Sequence, residues 1–183
     1  MVQTALNAAR TTVRHVEGMT SDVHDLPFED DSFDLVIANH MLYHTPNPVV
    51  AIEELARVLR PGGVLVASTN GPRHLQELYE IETKVFDSSV ARSNVEAFGS
   101  VTGLPLLTKR FGEVEWRHHS DGLRCTEAAD IVAYITSTPP GSNASPEKLT
   151  ELNAEVLRRM DESGGVLAVS KESGAFFAFG QRA

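Results

Sequence analysis

The stretch Asp31-Ser32-Phe33-Asp34-Leu35-Val36-Ile37-Ala38, with Asn47-Pro48 and then Pro61-Gly62-Gly63-Val64-Leu65-Val66-Ala67 behind it, decides the fold. Polar turn residues precede Phe33 to Ala38, a continuous apolar run of strand length. Such a run predicts a strand buried on both faces, in the middle of a parallel sheet. Asn47 followed by Pro48 is a strong helix start, because an N-cap acceptor is followed by the residue whose missing N–H costs nothing at the first helical position. Ile52, Leu55, Ala56 and Leu59 then mark one helical face, with Glu53 and Glu54 early and Arg57 and Arg60 late, the polarity that complements the helix dipole. Glu53 and Arg57 stand at i, i+4 and are expected to pair. Pro61-Gly62-Gly63 is expected to end the helix, and Val64 to Ala67 to form the next strand. Strand, helix, strand with short connections is a right-handed βαβ unit.

Working outward, Val2, Leu6 and Ala9 suggest one face of an opening helix, and Val13 to Val16 a short strand. After the unit, Leu75, Leu78, Ile81 and Val85 share a helical face that opens at Gly71-Pro72. Val114 to Trp116 reads as a strand, and Thr126 as the cap of a helix running to about Ser137. Thr138 to Pro146 is a polar, Pro-rich segment and the best candidate for a linker. Ser145-Pro146 starts another helix, with Leu149, Leu152, Val156 and Met160 on one face and Gly164-Gly165 closing it. Val166 to Val169 and Ala175 to Phe179 are expected to form a terminal hairpin or strand pair.

The length of 183 residues suits one domain. Apolar residues at 42% and charged residues at 22% match an ordinary globular protein. Sixteen Lys plus Arg against twenty-five Asp plus Glu, a net charge of -9, argue against a nucleic-acid partner. The lone Cys125 has no intrachain partner, and no basic, apolar leader opens the chain, so a cytoplasmic location is expected. No apolar run approaches the roughly 18 residues needed to span a bilayer, and no membrane association is expected.

Four pieces in order carry a resemblance: Ser21-Asp22-Val23-His24-Asp25-Leu26-Pro27-Phe28, Asp31 to Val36, Asn39-His40-Met41-Leu42-Tyr43-His44, and Arg57-Val58-Leu59-Arg60-Pro61-Gly62-Gly63. Together they resemble the central part of a class I S-adenosylmethionine-dependent methyltransferase of the small-molecule type. The match continues more loosely through Ser68 to Gly71 and Lys171 to Phe177. The resemblance implies an α/β, Rossmann-like sheet with helices on both faces, strand order 3-2-1-4-5-7-6 and an antiparallel C-terminal strand. It implies methyl transfer from S-adenosylmethionine to a small-molecule acceptor. Asp22 matches the carboxylate that accepts from the adenine amino group, and the Val23 backbone completes recognition of the ring edge. Asn39 and His40 match the turn beside the methionine end of the cofactor. Tyr43 faces the substrate, and His44, or else His40, is the base if the acceptor needs one.

Each residue also has a plainer reading. Asp22 is a good turn residue. His40 and His44 at i, i+4 resemble a metal pair, yet no third ligand stands at a familiar spacing, so no metal is expected. His118-His119, on a predicted strand, point to opposite faces and read as structural. Trp116, Phe111 and Phe176 are candidates to line an acceptor pocket and equally good core residues.

In the resembled family a Gly-rich loop and a ribose-binding acidic residue precede the position of Asp22; here the first glycine is Gly18. The expectation is one incomplete domain lacking its first two strands and impaired in cofactor binding. Residues 1–71 would be the remainder of the cofactor half and residues 72–183 the acceptor part. Phe33 to Ala38 would then be an exposed apolar edge, able to pair with a second copy. The rival is a non-catalytic methyltransferase-like binding or partner protein. A hydrolase is a third idea, unsupported by any Gly-x-Ser-x-Gly turn.

Overall fold

A computed structural model describes residues 16–87 and 95–180. The helix expected from Val2 to Ala9 and the strand expected from Val13 lie outside those residues, apart from Val16. Four strands form one sheet: β1 (Phe33–Asn39), β2 (Leu59–Asn70), β3 (Val114–Cys125) and β4 (Leu167–Phe179). The spatial order is β1-β2-β4-β3, with β1 and β2 parallel and β4 antiparallel to both of its neighbours. That is the 4-5-7-6 portion of the order the resemblance implies, antiparallel last strand included.

Between β1 and β2 runs α1 (Pro48–Arg57), started as its sequence predicts. The Asn47 side chain accepts from the backbone N–H of Val49 at 3.2 Å and of Val50 at 3.4 Å, with Pro48 at the first position. The helices α2 (Gln76–Phe86) and α3 (Gly103–Phe111) follow β2. Between β3 and β4 come α4 (Ala128–Ile135) and α5 (Pro146–Glu162), the latter capped by Ser145, whose Oγ accepts from Lys148 N–H at 3.3 Å.

Two cores result. Under α1 and α3, alternate residues of the sheet (Ala38, Leu65, Ala67, Phe176 and Ala178) meet Ile52, Leu55, Phe98, Leu107 and Phe111. Phe176 is fully buried against Phe98 and Trp116, with ring centroids 6.1 and 4.5 Å away. Phe111 and Phe176 are therefore core residues rather than pocket lining. The second core lies beyond the carboxyl end of β2. There β3 and β4 continue as a two-stranded arm, from Ser120↔Glu172 out to Cys125↔Leu167. Leu167 and Val169 of that arm pack with Leu78, Ile81, Ile131, Leu152 and Val156 from α2, α4 and α5. Glu155, buried in α5, ties the helices together by accepting from Lys84 of α2 at 2.5 Å and from Arg158 and Arg159.

Several expectations are corrected. Among the described residues β1 pairs on one side only, and Leu35 and Ile37 are 53% and 64% exposed, so the strand is an apolar edge and not buried on both faces. α1 ends at Arg57, and Pro61-Gly62-Gly63 lies within β2 at an irregularity where Phe33↔Leu59 jumps to Leu35↔Val64. Gly62 there takes φ +77°, and a Cβ on Gly63 would come within 2.9 Å of the Asp34 and Arg60 carbonyls. Arg57 pairs with Glu54 and not Glu53, which instead meets Arg110 of α3 at 2.8 Å. The α4 N-cap is Glu127 rather than Thr126, and its side chain makes no capping bond.

The 138–146 segment is no linker. It packs back onto α4, so that a Cβ on Gly141 would sit 2.2 Å from the Ile135 carbonyl oxygen. The expected C-terminal hairpin is one continuous strand. Polar Lys171 to Ser173 breaks the apolar pattern but not the ladder, and Gly174 admits the close approach of the Trp116 ring and the Arg117 carbonyl.

Candidate active site

The loops after β1 and β2 emerge at the carboxyl ends of adjacent parallel strands, where ligands bind in open α/β sheets. After β1, His40 takes a left-handed conformation, φ +49°. Its N–H donates to the carbonyl of Ser68 at 3.3 Å and to Ser68 Oγ at 3.0 Å, while Ser68 Oγ in turn donates to Asn39 Oδ1. The turn is thereby tied to β2. A 3₁₀ turn at Leu42–His44 follows, anchored by the buried Leu42. It presents Tyr43 and His44 side by side, ring centroids 4.4 Å apart, with Tyr43 Oη 3.4 Å from His40 Nδ1. Partial burial pushes the His40 imidazole pKa down and the Tyr43 phenol up.

The second wall is the 22–30 loop, held by one guanidinium. Arg57 donates to the carbonyls of Leu26 and Phe28, to both Glu54 oxygens and to Asp30 Oδ1, at 2.6 to 3.1 Å. Glu54 also accepts from Leu26 N–H at 2.8 Å. The hydrogen bonds from Arg57 hold the Glu54 pKa down to about 2, against desolvation. At the start of this loop the exposed Asp22 carboxylate accepts from His24 N–H at 2.9 Å and meets His24 Nδ1 at 2.7 Å. Those contacts lower its pKa, so it stays ionised near neutral pH.

These walls enclose a cleft of about 540 Å³, lined by Asp22, Val23, His24, Met41, His44 and Thr45 among others. A neighbouring cavity of about 460 Å³ is lined by Tyr43, His44, Asn70, His74, Tyr79 and Tyr134, with Leu75, Leu78, Ile135 and Pro139 as apolar walls. His44 borders both. Beyond His74 and Tyr79 the space widens again, to about 830 Å³, toward Lys84, Glu80 and Arg159. Asp22, Val23 and His44 are thus gathered on one cleft, and Tyr43 with His44 on the adjoining cavity. Asn39 and His40 shape the turn between strands without lining either space.

Sequence reasoning missed His24, Asn70, His74, Tyr79 and Tyr134. His24 sits two residues from Asp22, a spacing that permits an Asx-type contact. Asn70 lies in the loosely matching Ser68 to Gly71 piece, where the resemblance implies no role for it, and His74, Tyr79 and Tyr134 have no motif of their own. Among the described residues no group of three or more His, Cys, Asp or Glu side chains is arranged to hold a metal ion, and no helix is long and apolar enough to cross a membrane. Cys125 is partly buried and burial raises its pKa, so nothing activates it.

A mixed α/β sheet with paired depressions at the carboxyl ends of its parallel strands is a Rossmann-like arrangement. Residues 1–67 match the family described as methyltransferase domain. Over 77 residues the chain is 36% identical to the malonyl-[acyl-carrier protein] O-methyltransferase of Halorhodospira halophila, covering 42% of this chain and 26% of that protein. It is 42% identical over 55 residues to the demethylmenaquinone methyltransferase of Staphylococcus aureus, covering 30% and 23%. The matched stretch therefore spans about a quarter of the curated relatives' length. The crystal structure of a Bacillus halodurans protein assigned as a methyltransferase superposes with a TM-score of 0.63 at 22% identity, covering 98% of this chain and 78% of that one. The likeness to class I S-adenosylmethionine-dependent methyltransferases thus holds in sequence over residues 1–67 and in fold over nearly the whole chain.

Proposed function

We propose that this chain belongs to an enzyme that transfers a methyl group from S-adenosylmethionine to a small-molecule acceptor. Residues 1–71 form the cofactor side and residues 72–183 the acceptor side. The observation that carries the reading is the meeting of cleft and cavity at Tyr43 and His44, directly after β1. The donor set fits the adenosyl end of the cofactor: Asp22 is an ionised, solvent-facing acceptor suited to an exocyclic amine, and the Val23 backbone lies beside it. When bound, the cofactor supplies a methyl group on a cationic sulfur for in-line displacement. Asn39 and His40 hold the turn that sets the floor of the cleft. Tyr43 borders the acceptor, and His44 stands where the two ligands meet, to orient the acceptor or receive its proton. The relatives' names, malonyl-[acyl-carrier protein] O-methyltransferase and demethylmenaquinone methyltransferase, support the reaction class and leave the acceptor open.

No Gly-rich phosphate-type loop stands in the sequence before Asp22. Cofactor binding by these 183 residues is accordingly weak. Calorimetric titration with S-adenosylmethionine is expected to give an affinity weaker than micromolar, and a micromolar dissociation constant would contradict this. Among the described residues β1 pairs on one side only, and its other edge offers a pairing surface to a second copy, which light scattering tests.

A further inference from the structure

Among the described residues, three buried side-chain atoms have no hydrogen-bond partner: His24 Nε2, Asn70 Oδ1 and His74 Nδ1. A buried polar atom left unpaired costs about 1–3 kcal/mol, and folded proteins keep few of them. All three belong to residues that line the two spaces of the candidate site, His24 the cleft and Asn70 and His74 the cavity. Elsewhere buried polar groups are satisfied. Thr69 Oγ1 donates to the Phe98 carbonyl at 2.6 Å, and Glu155 accepts from three cations. The unmet capacity is therefore concentrated where a ligand belongs.

Of the cavity's other polar groups, Tyr43 Oη lies 3.4 Å from His40 Nδ1. Asn70 and His74 stand at the end of β2 and in the loop that follows it. That loop is pinned: Gly71 N–H donates to the Glu172 carbonyl at 2.9 Å, Arg73 N–H to Glu172 Oε2 at 2.8 Å and Leu75 N–H to the Ser170 carbonyl at 2.7 Å. A Cβ on Gly71 would strike the Glu172 side chain at 2.4 Å. His74 is thus held by backbone contacts on both sides while its own Nδ1 is spare. Burial lowers its pKa, Lys171 and His40 add to that, and Glu172 opposes it. The ring is neutral near pH 7 and able to receive a proton.

The walls limit what fits. Three tyrosines, Leu75, Leu78, Ile135 and Pro139 make an aromatic and aliphatic slot of a size usual for small-molecule sites. The buried Glu82 side chain also lines the cavity and none of the described lining residues is Lys or Arg, so a carboxylate or phosphate would enter without a counter-charge.

We propose that this cavity takes an aromatic acceptor that bears a hydroxyl group and no negative charge, with His74 receiving the hydroxyl proton as the catalytic base. This rests on the methyltransferase reading above. In the transfer, the acceptor oxygen forms its bond to the methyl carbon as the carbon–sulfur bond breaks. The electron pair of that bond stays on sulfur, and the hydroxyl proton passes to His74. His44, exposed at the mouth, then positions the ring instead of taking the proton.

The test uses 4-ethylphenol and 4-ethylanisole as probes, which differ in the hydroxyl, and needs no cofactor. Its failure is therefore distinct from failure to bind S-adenosylmethionine. By NMR titration of the whole chain, the phenol is expected to bind about tenfold more tightly than the ether, the discrimination one satisfied polar group commonly supplies. The His74 ring nitrogen resonances should shift with the phenol alone. His74→Ala should bring the two affinities within about twofold. Equal affinity for both probes, no binding of either, or unmoved His74 nitrogens on saturation with the phenol would overturn the proposal. The nitrogen readout is taken on the unmutated protein and stands even if the variant fails to fold.

Discussion

The 26–68 region and the cavity region around Asn70 to Tyr79 and Tyr134 to Pro139 differ in how completely each satisfies itself. In the first, one guanidinium serves two carbonyls and two carboxylates, Asn47 caps a helix, and Ser68 links two strand ends. In the second, two buried polar atoms have no partner. A region that completes its own hydrogen bonds is built to hold a shape. One that leaves them open inside an apolar slot is built to hold something else.

The contrast can be broken most forcefully at the cores. Phe176→Ala beneath α1 and α3 is expected to cost about 3–5 kcal/mol and Leu152→Ala in the arm core about 2–5 kcal/mol, measured by urea unfolding. Both should move one shared transition, because β4 runs through both cores. Two separate transitions would mean that the regions fold apart. A smaller effect follows from charge. With its pKa held down to about 2, Glu54 contributes stability that is present above its ordinary pKa near 4.5 and is lost as pH falls through that interval toward 2. Glu54→Gln should lower stability by about 1–3 kcal/mol at neutral pH and flatten the acid limb below pH 4.5. The smallest change is expected from Asn70→Ala, within about 1 kcal/mol, since it removes an acceptor that had no partner. A loss as large as that of Glu54→Gln would erase the difference between the regions.

The same division explains what was legible in the sequence. The βαβ unit, the Asn47 and Ser145 caps, and the α2 and α5 faces follow from local periodicity and capping chemistry, which act over a few residues. Most of the family pieces lie in the self-satisfied region, where spacing along the chain tracks spacing in the fold. What escaped is set by distant contacts. Glu54 rather than Glu53 takes Arg57 because the 26–30 loop supplies the other acceptors. β4 is continuous across Lys171 to Ser173 because β3 pairs with it throughout. His74 carries no motif, and its unpaired nitrogen acquires meaning only beside Asn70, Tyr79 and Tyr134, residues that β2, α2 and α4 bring to one wall.

The division into a cofactor side and an acceptor side is tested most directly by mapping amide shifts during NMR titration with millimolar S-adenosylmethionine. Perturbations are expected at Asp22, Val23, His24, Met41 and His44, with Tyr79 and Tyr134 little affected. Shifts centred on Tyr79 and Tyr134, or none at Asp22 to His24 at saturating cofactor, would contradict it.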